Sequence, residues 1–212
     1  MKRILCYGDS NTHGTTPMAS QNDSSRHSYE VRWPGIVAAH FGTRATVIEE
    51  GLPGRTTVHD DPIEGAYRNG RYYLQACIES HTPLDAVVIM LGVNDLKSRF
   101  SVTPWDIAEG SGKLADIVLA SPALAKSAPK ILLVAAPPIL ETGWLGEMFR
   151  GGEEKSKHIA AHLKNVAAVR NIDCLDLAPV AKVSPVDGIH FDAANQIAIG
   201  KAIAAKLQTM IG

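Results

Sequence analysis

Ser10 stands where an apolar run gives out. Residues 4–14 read ILCYGDSNTHG, so Gly8-Asp9-Ser10-Asn11 follows directly on Ile4 to Tyr7. A serine hydroxyl is a poor nucleophile at neutral pH. It needs a base within hydrogen-bond reach, usually a histidine whose other ring nitrogen is held by a carboxylate. The chain has 8 histidines, so one histidine alone decides nothing. Asp187-Gly188-Ile189-His190 is more specific, because a carboxylate three residues before a histidine can lie over the same face of a turn, beside the ring. Taken alone, that stretch reads at least as well as an Asp-Gly turn with a satisfied polar histidine.

Attack of serine on an acyl carbon also needs donors for the oxyanion that forms. Gly54 in LPGRT offers a backbone N–H with no side chain in the way. Asn94 in GVND offers a side-chain amide, and the N–H of Ser10 itself would be a third donor. Each has a plain structural reading: Gly54 in a tight Pro-Gly turn, Asn94 as a helix cap. What raises them together is where the surrounding elements would place them.

Five apolar stretches read as strands: 3–7, 45–50, 85–91, 130–136 and the shorter 173–177. The third and fourth are nearly continuous in Val, Ile and Leu, as expected when helices cover both faces of a parallel sheet. Between them, 33–42, 70–81, 103–120, 153–170 and 192–210 read as helices. Gly42 is expected to end the first, Thr103 and Asp192 to cap the third and last, and Pro104 to take a first helical position. This alternation predicts an α/β fold, a three-layer α/β/α sandwich around a parallel sheet of about five strands, in one domain over 1–212. Ligands of such sheets bind beyond the carboxyl ends of the strands. GDSN, GLPGRTT, GVND and VSPVDGIHFD all fall at that edge, and this coincidence outweighs any single motif.

The 212 residues suffice for one sizeable core. With 21 Lys+Arg against 22 Asp+Glu and no basic stripe, nucleic acid is not an expected partner. The 3 cysteines, Cys6, Cys77 and Cys174, lack disulfide or zinc-cage spacing and read as free thiols in a reducing compartment. No apolar run is long enough for a signal h-region or a membrane span, so the expected location is cytoplasmic.

Ser10 in GDSN, Gly54, Asn94 in GVND and His190 in DGIH resemble, in order and over nearly the full length, the four signature blocks of the SGNH or GDSL-type hydrolases. RILCYGDSNTHG, VIEEGLPGRTT and VIMLGVNDLK further resemble the bacterial arylesterase/acyltransferase branch. The resemblance implies a flavodoxin-like fold and ester hydrolysis through an acyl-serine. Ser10 would be the nucleophile, His190 the general base and then acid, and Asp187 the residue orienting His190. The N–H groups of Ser10 and Gly54 and the Asn94 amide would form the oxyanion hole. Asn11, Val93 and Ile189, set within or beside these blocks, are expected to contact substrate. The resemblance implies no metal or organic cofactor. The branch favours short acyl chains in a narrow apolar pocket, is often homo-oligomeric, and in some members passes the acyl group to alcohols. Asn11 stands where the family often has Leu, which keeps acetylated sugars open as substrates. A nucleotide- or phosphate-binding module is the rival outside enzymology, but GDSN is not a phosphate-cradling loop and such a module would not need Asp187 and His190.

Other features have plainer readings. His158 and His162, i and i+4 on a helix, are expected to face solvent. Asp60 and Asp61 are expected in a turn, and Arg55 in an ion pair that fixes its loop. Trp144, Leu145, Met148 and Phe149, within 141–152, are read as pocket rim or subunit contact, with a satellite core as the alternative. The polar segment 15–33 is expected to be a loop near the site, ordered against a neighbouring subunit.

Overall fold

The computed structural model describes residues 1–212. Its strands are β1 (Lys2–Gly8), β2 (Ala45–Gly51), β3 (Ala86–Met90), β4 (Lys130–Ala135) and β5 (Asp173–Asp176), all parallel, in the order β2-β1-β3-β4-β5. The order reverses direction at β1, so the crevice beyond β1 and β3 is the place such sheets offer a ligand.

Alternation along the strands sorts the core into two layers. Leu5, Tyr7, Val87, Ile89, Ile131 and Leu133 face α3 (Gly70–His81), α4 (Pro104–Ala120) and α5 (Gly152–Val169). Ile4, Cys6, Val88, Met90, Leu132 and Val134 face α2 (Trp33–Phe41) and α6 (Ala193–Ile211). Burying each large aliphatic side chain contributes roughly 1.5–3 kcal/mol, so both sheet faces must be covered. That is why β3 and β4 carry no polar alternation.

The helix ends follow local chemistry. Thr103 accepts from Asp106 N at 3.2 Å while Asp106 accepts from Thr103 N at 2.8 Å, a reciprocal box that starts α4. Asp192 caps α6 by accepting from Asn195 N at 2.8 Å. One further helix, α1 (Ser10–His13), is a single turn set directly on the end of β1. No helix is long and apolar enough to cross a membrane.

Candidate active site

Gly8 lets α1 fold tightly back over β1. A Cβ there would sit 2.0 Å from Thr12 Oγ1 and 2.9 Å from the Met90 carbonyl oxygen. Asp9 caps the turn by accepting from Asn11 N at 2.9 Å. Burial pushes the Asp9 carboxyl up to about 6, although the Asn11 N–H, His190 and Arg55 all pull the other way. Ser10 opens the helix, and its N–H donates to no other group of the chain.

Asp187, His190 and Ser10 form one unbroken relay. His190 Nδ1 lies 2.6 Å from Asp187 Oδ2, and His190 Nε2 lies 3.0 Å from Ser10 Oγ. An ionised carboxylate only accepts, so the Nδ1 proton points at Asp187 and Nε2 is left to accept from the serine hydroxyl. Asp187 Oδ1 accepts from the N–H groups of Ile189 and His190, each at 3.0 Å. Gly188, at φ +74°, allows the turn that delivers them. Asp187 Oδ2 takes a further donor from Met18 N at 2.8 Å. Burial alone would raise the Asp187 carboxyl, but His190 and the two neighbouring N–H groups outweigh it and hold it below the usual range. Asp187 is fully buried, whereas Ser10 and His190 keep 6% and 5% exposure at the cavity floor.

The proposed donors border the same cavity. Ser10, Gly54, Asn94 and His190 all line it. Gly54 sits at φ +77°, and its N–H, like that of Ser10, is committed to no other group. A Cβ at Gly54 would lie 2.5 Å from Glu64 Oε2. Asn94 Nδ2 donates one hydrogen to the Arg55 carbonyl at 3.1 Å, which leaves the second free.

Asp95, next to Asn94, pins the two loops together. Its buried carboxylate accepts from Thr57 N at 3.0 Å, Thr57 Oγ1 at 2.5 Å and His59 Nδ1 at 2.8 Å. The Asp95 hydrogen bond raises His59 above its ordinary value against the opposing pull of burial. Sequence reasoning passed over this residue, although an acidic side chain directly after Asn94 was a signal it could have used.

The cavity measures about 350 Å³. Trp144, Leu145, Met148, Phe149 and Ile189 supply an apolar wall, and Gln21, Glu64, Lys97 and Arg99 a polar one. Ile189 borders the cavity, whereas Asn11 and Val93 do not. Asn11 is turned beneath it, with Nδ2 donating to the Ile189 carbonyl at 3.2 Å. Val93 packs with Leu96, Ile107, Ile139 and Phe149 in a small core that also holds Leu145. The 141–152 segment is thus both pocket rim and satellite core.

Other segments named from the sequence are placed as well. The 15–33 segment is ordered by its own chain: Met18 holds Asp187, Trp144 Nε1 donates to the Met18 carbonyl at 3.1 Å, and His27 Nε2 contacts the Phe191 carbonyl at 3.0 Å. Backbone groups carry the Met18 links, so residue type gave no hint of them. Arg55 makes no ion pair. It is buried, donates to the carbonyls of Gly8 and Glu50, and stacks 4.1 Å from the Tyr7 ring centroid. Asp61 is a turn residue and more: it accepts from Ile63 N and Glu64 N, both at 2.9 Å, and binds Arg99 at 3.0 Å and Lys97 at 3.4 Å. His158 is exposed and faces Glu154 at 3.4 Å, whereas His162 is only half-exposed and carries no ligand set.

Comparison with known proteins places this chain by sequence and by fold. The profile of the GDSL-like lipase/acylhydrolase family matches residues 6–196. No curated protein sequence matches. Among solved structures, the carbohydrate acetylesterase Est24 from Sinorhizobium meliloti is 41% identical, with 99% of each chain covered and a TM-score of 0.94. An aryl esterase from M. smegmatis is 40% identical over 99% of this chain and 100% of its own, also at 0.94. A lipase/acylhydrolase from Enterococcus faecalis, 19% identical at a TM-score of 0.69 over 100% of this chain and 98% of its own, shares the fold.

Proposed function

This chain belongs to the GDSL-like lipase/acylhydrolase family and is a carboxylic ester hydrolase, and on that premise we propose that Ser10 is its nucleophile, His190 its general base and acid, and Asp187 the orienting carboxylate. The carrying observation is the relay itself, 2.6 Å from Asp187 to His190 and 3.0 Å on to Ser10, ending at an open cavity. Ser10 Oγ attacks the ester carbon as its proton passes to His190 Nε2. The carbonyl oxygen becomes an oxyanion held by the N–H groups of Ser10 and Gly54 and the free Asn94 hydrogen. Collapse breaks the bond to the alcohol, which leaves with the proton from His190. Water then repeats the sequence on the acyl-serine, returning the acid and free Ser10. Asp187 remains the anion that stabilises the imidazolium throughout.

We assign short-chain acyl esters, with aryl alcohols as the favoured leaving group. The cavity is small, and Trp144, Leu145 and Phe149 give an acyl methyl or an aromatic ring apolar cover. The polar wall of Gln21, Glu64, Lys97 and Arg99 supports a second reading, acetyl esters of sugars, and the two named relatives act on one class each. Acyl transfer to an alcohol in place of water is part of the same proposal. Exposed Ile63, Tyr67, Tyr72 and Tyr73 support assembly into a homo-oligomer, and free, buried Cys6 and Cys77 support a cytoplasmic setting. We read 1–212 as one catalytic domain.

The deciding experiment is hydrolysis of p-nitrophenyl acetate, p-nitrophenyl octanoate and a peracetylated sugar by the wild type and Ser10→Ala. Acetate turnover lost in the variant supports the reading. Equal rates in both proteins would remove Ser10 from the chemistry. Preference for the sugar ester would move the substrate class to the second reading.

A further inference from the structure

On the α3 side of the sheet, away from the catalytic cavity, three side chains of different elements converge. Glu50 leaves β2 in register with Tyr7 of β1, so it points toward the layer that α3 covers. Tyr73, Cys77 and His81 follow one another at four-residue spacing along α3, on one line of the helix. His81 Nε2 lies 3.0 Å from Glu50 Oε1, and Tyr73 Oη lies 3.5 Å from the same oxygen. The Glu50 carboxylate, the Cys77 sulfur and the His81 ring nitrogen all lie within 4.8 Å of one another.

We propose that Glu50, Cys77 and His81 bind a single zinc-class divalent cation, with a fourth position open to solvent. One sulfur, one imidazole nitrogen and one carboxylate oxygen form a donor set for such an ion, softer than calcium or magnesium would select. Bonds of about 2.0–2.3 Å in a tetrahedron bring the donors to about 3.3–3.6 Å apart, so small rotamer adjustments close the site. Glu50 and His81 keep 20% and 28% side-chain exposure and provide the way in, while Cys77 is buried behind them. A zinc-class ion takes cysteine as the thiolate, so binding at Cys77 releases the thiol proton. The groups facing the thiol are Tyr7, Glu50, Arg55, Tyr73 and His81. None of the three ligands lines the catalytic cavity, so occupancy does not depend on Ser10.

The test is cobalt(II) titration of chelator-treated protein, followed by absorption. The wild type should take up one equivalent, release protons, and develop a sulfur-to-cobalt charge-transfer band. Cys77→Ser should lose the band, and His81→Gln should weaken binding by about tenfold or more. Ser10→Ala should titrate like the wild type, which separates this site from the esterase assignment. Should Cys77→Ser misfold, the half-exposed His81→Gln variant still decides the matter, with circular dichroism as its folding control. Absence of the band in the wild type would overturn the proposal. So would a band that survives Cys77→Ser, or affinity unchanged in His81→Gln.

Discussion

Met18 and Asp187, 169 positions apart in the chain, meet through a 2.8 Å hydrogen bond from the Met18 backbone N–H to the oxygen that also holds His190. The Met18 carbonyl is in turn held by Trp144. The loop at Met18, the Asp187 carboxylate and Trp144 on the pocket rim are therefore tied together by hydrogen bonds. Trp144→Phe keeps the aromatic bulk and removes only the indole N–H, whose hydrogen bond contributes about 1 kcal/mol. We expect KM for p-nitrophenyl acetate to rise several-fold with kcat less affected. A change confined to kcat would mean that Trp144 acts in some other way.

Ser10→Ala and Asp187→Asn should both fold and both be nearly inactive. Losing the nucleophile removes the acyl intermediate, and an uncharged amide at 187 presents the wrong partner to His190 Nδ1. Losses of about 10⁶ in kcat are expected for Ser10→Ala and about 10⁴ for Asp187→Asn. The double variant should be no worse than the weaker single one, because the residues act as a unit. Additive losses in the double variant would contradict the relay.

Asn94→Ala should cost about 10²–10³ in kcat while leaving KM nearly unchanged, since the amide is asked to bind the oxyanion and not the ground-state ester. Gly54→Ala tests the neighbouring donor. Its φ of +77° and the 2.5 Å approach of Glu64 Oε2 leave little room for a methyl, so the N–H should be displaced. A Gly54→Ala enzyme of wild-type kcat would remove that N–H from the oxyanion hole.

Asn11→Ala separates support from substrate contact. The Asn11 amide holds the Ile189 carbonyl from below, so its loss should lower stability by about 1–3 kcal/mol. The ratio of acetate to octanoate turnover should stay as in the wild type, because Asn11 does not border the cavity. A shifted ratio would restore Asn11 to the acyl pocket.

Asp9 gives a pH signature. Its folded carboxyl sits at about 6 against an ordinary 3.8. Between those values the folded chain keeps a proton that the unfolded chain has lost, so stability falls as pH rises through the window. The total is on the order of 3 kcal/mol. Asp187 has the opposite sign: its folded carboxyl is depressed, so its contribution is full above the ordinary carboxyl value and is lost as pH falls below it. Asp9→Asn preserves the acceptor for Asn11 N and abolishes the titration. Urea midpoints between about pH 4 and 6 should decline in the wild type relative to the variant. Parallel curves would show that Asp9 does not titrate there.

Much of this was legible because it is local. Continuous Val, Ile and Leu announced β3 and β4, Gly42 ended α2, and Thr103 and Asp192 capped their helices as their types dictate. The DGIH spacing placed Asp187 beside His190 for the same reason. What was hidden depends on distant backbone or on packing. A four-residue helix such as α1 is too short to show a period. Met18 donates through a group every residue but proline carries. Asn11 could not be assigned to support or to pocket until its amide met the Ile189 carbonyl. Glu50, Cys77 and His81 meet only once β2 is in register beneath α3.

Ser10 and His190 are separated by 180 positions, with β1 at one end of the chain and the α6 approach at the other. On the proposed mechanism a ribosome therefore releases Ser10, the nucleophile, long before His190, its base. A nascent or prematurely ended chain displays a serine that cannot yet attack. The proposal then predicts that turnover begins only once His190 has reached Ser10. Hydrolysis of a chromogenic ester during synthesis would then work as a clock for completion of the whole fold.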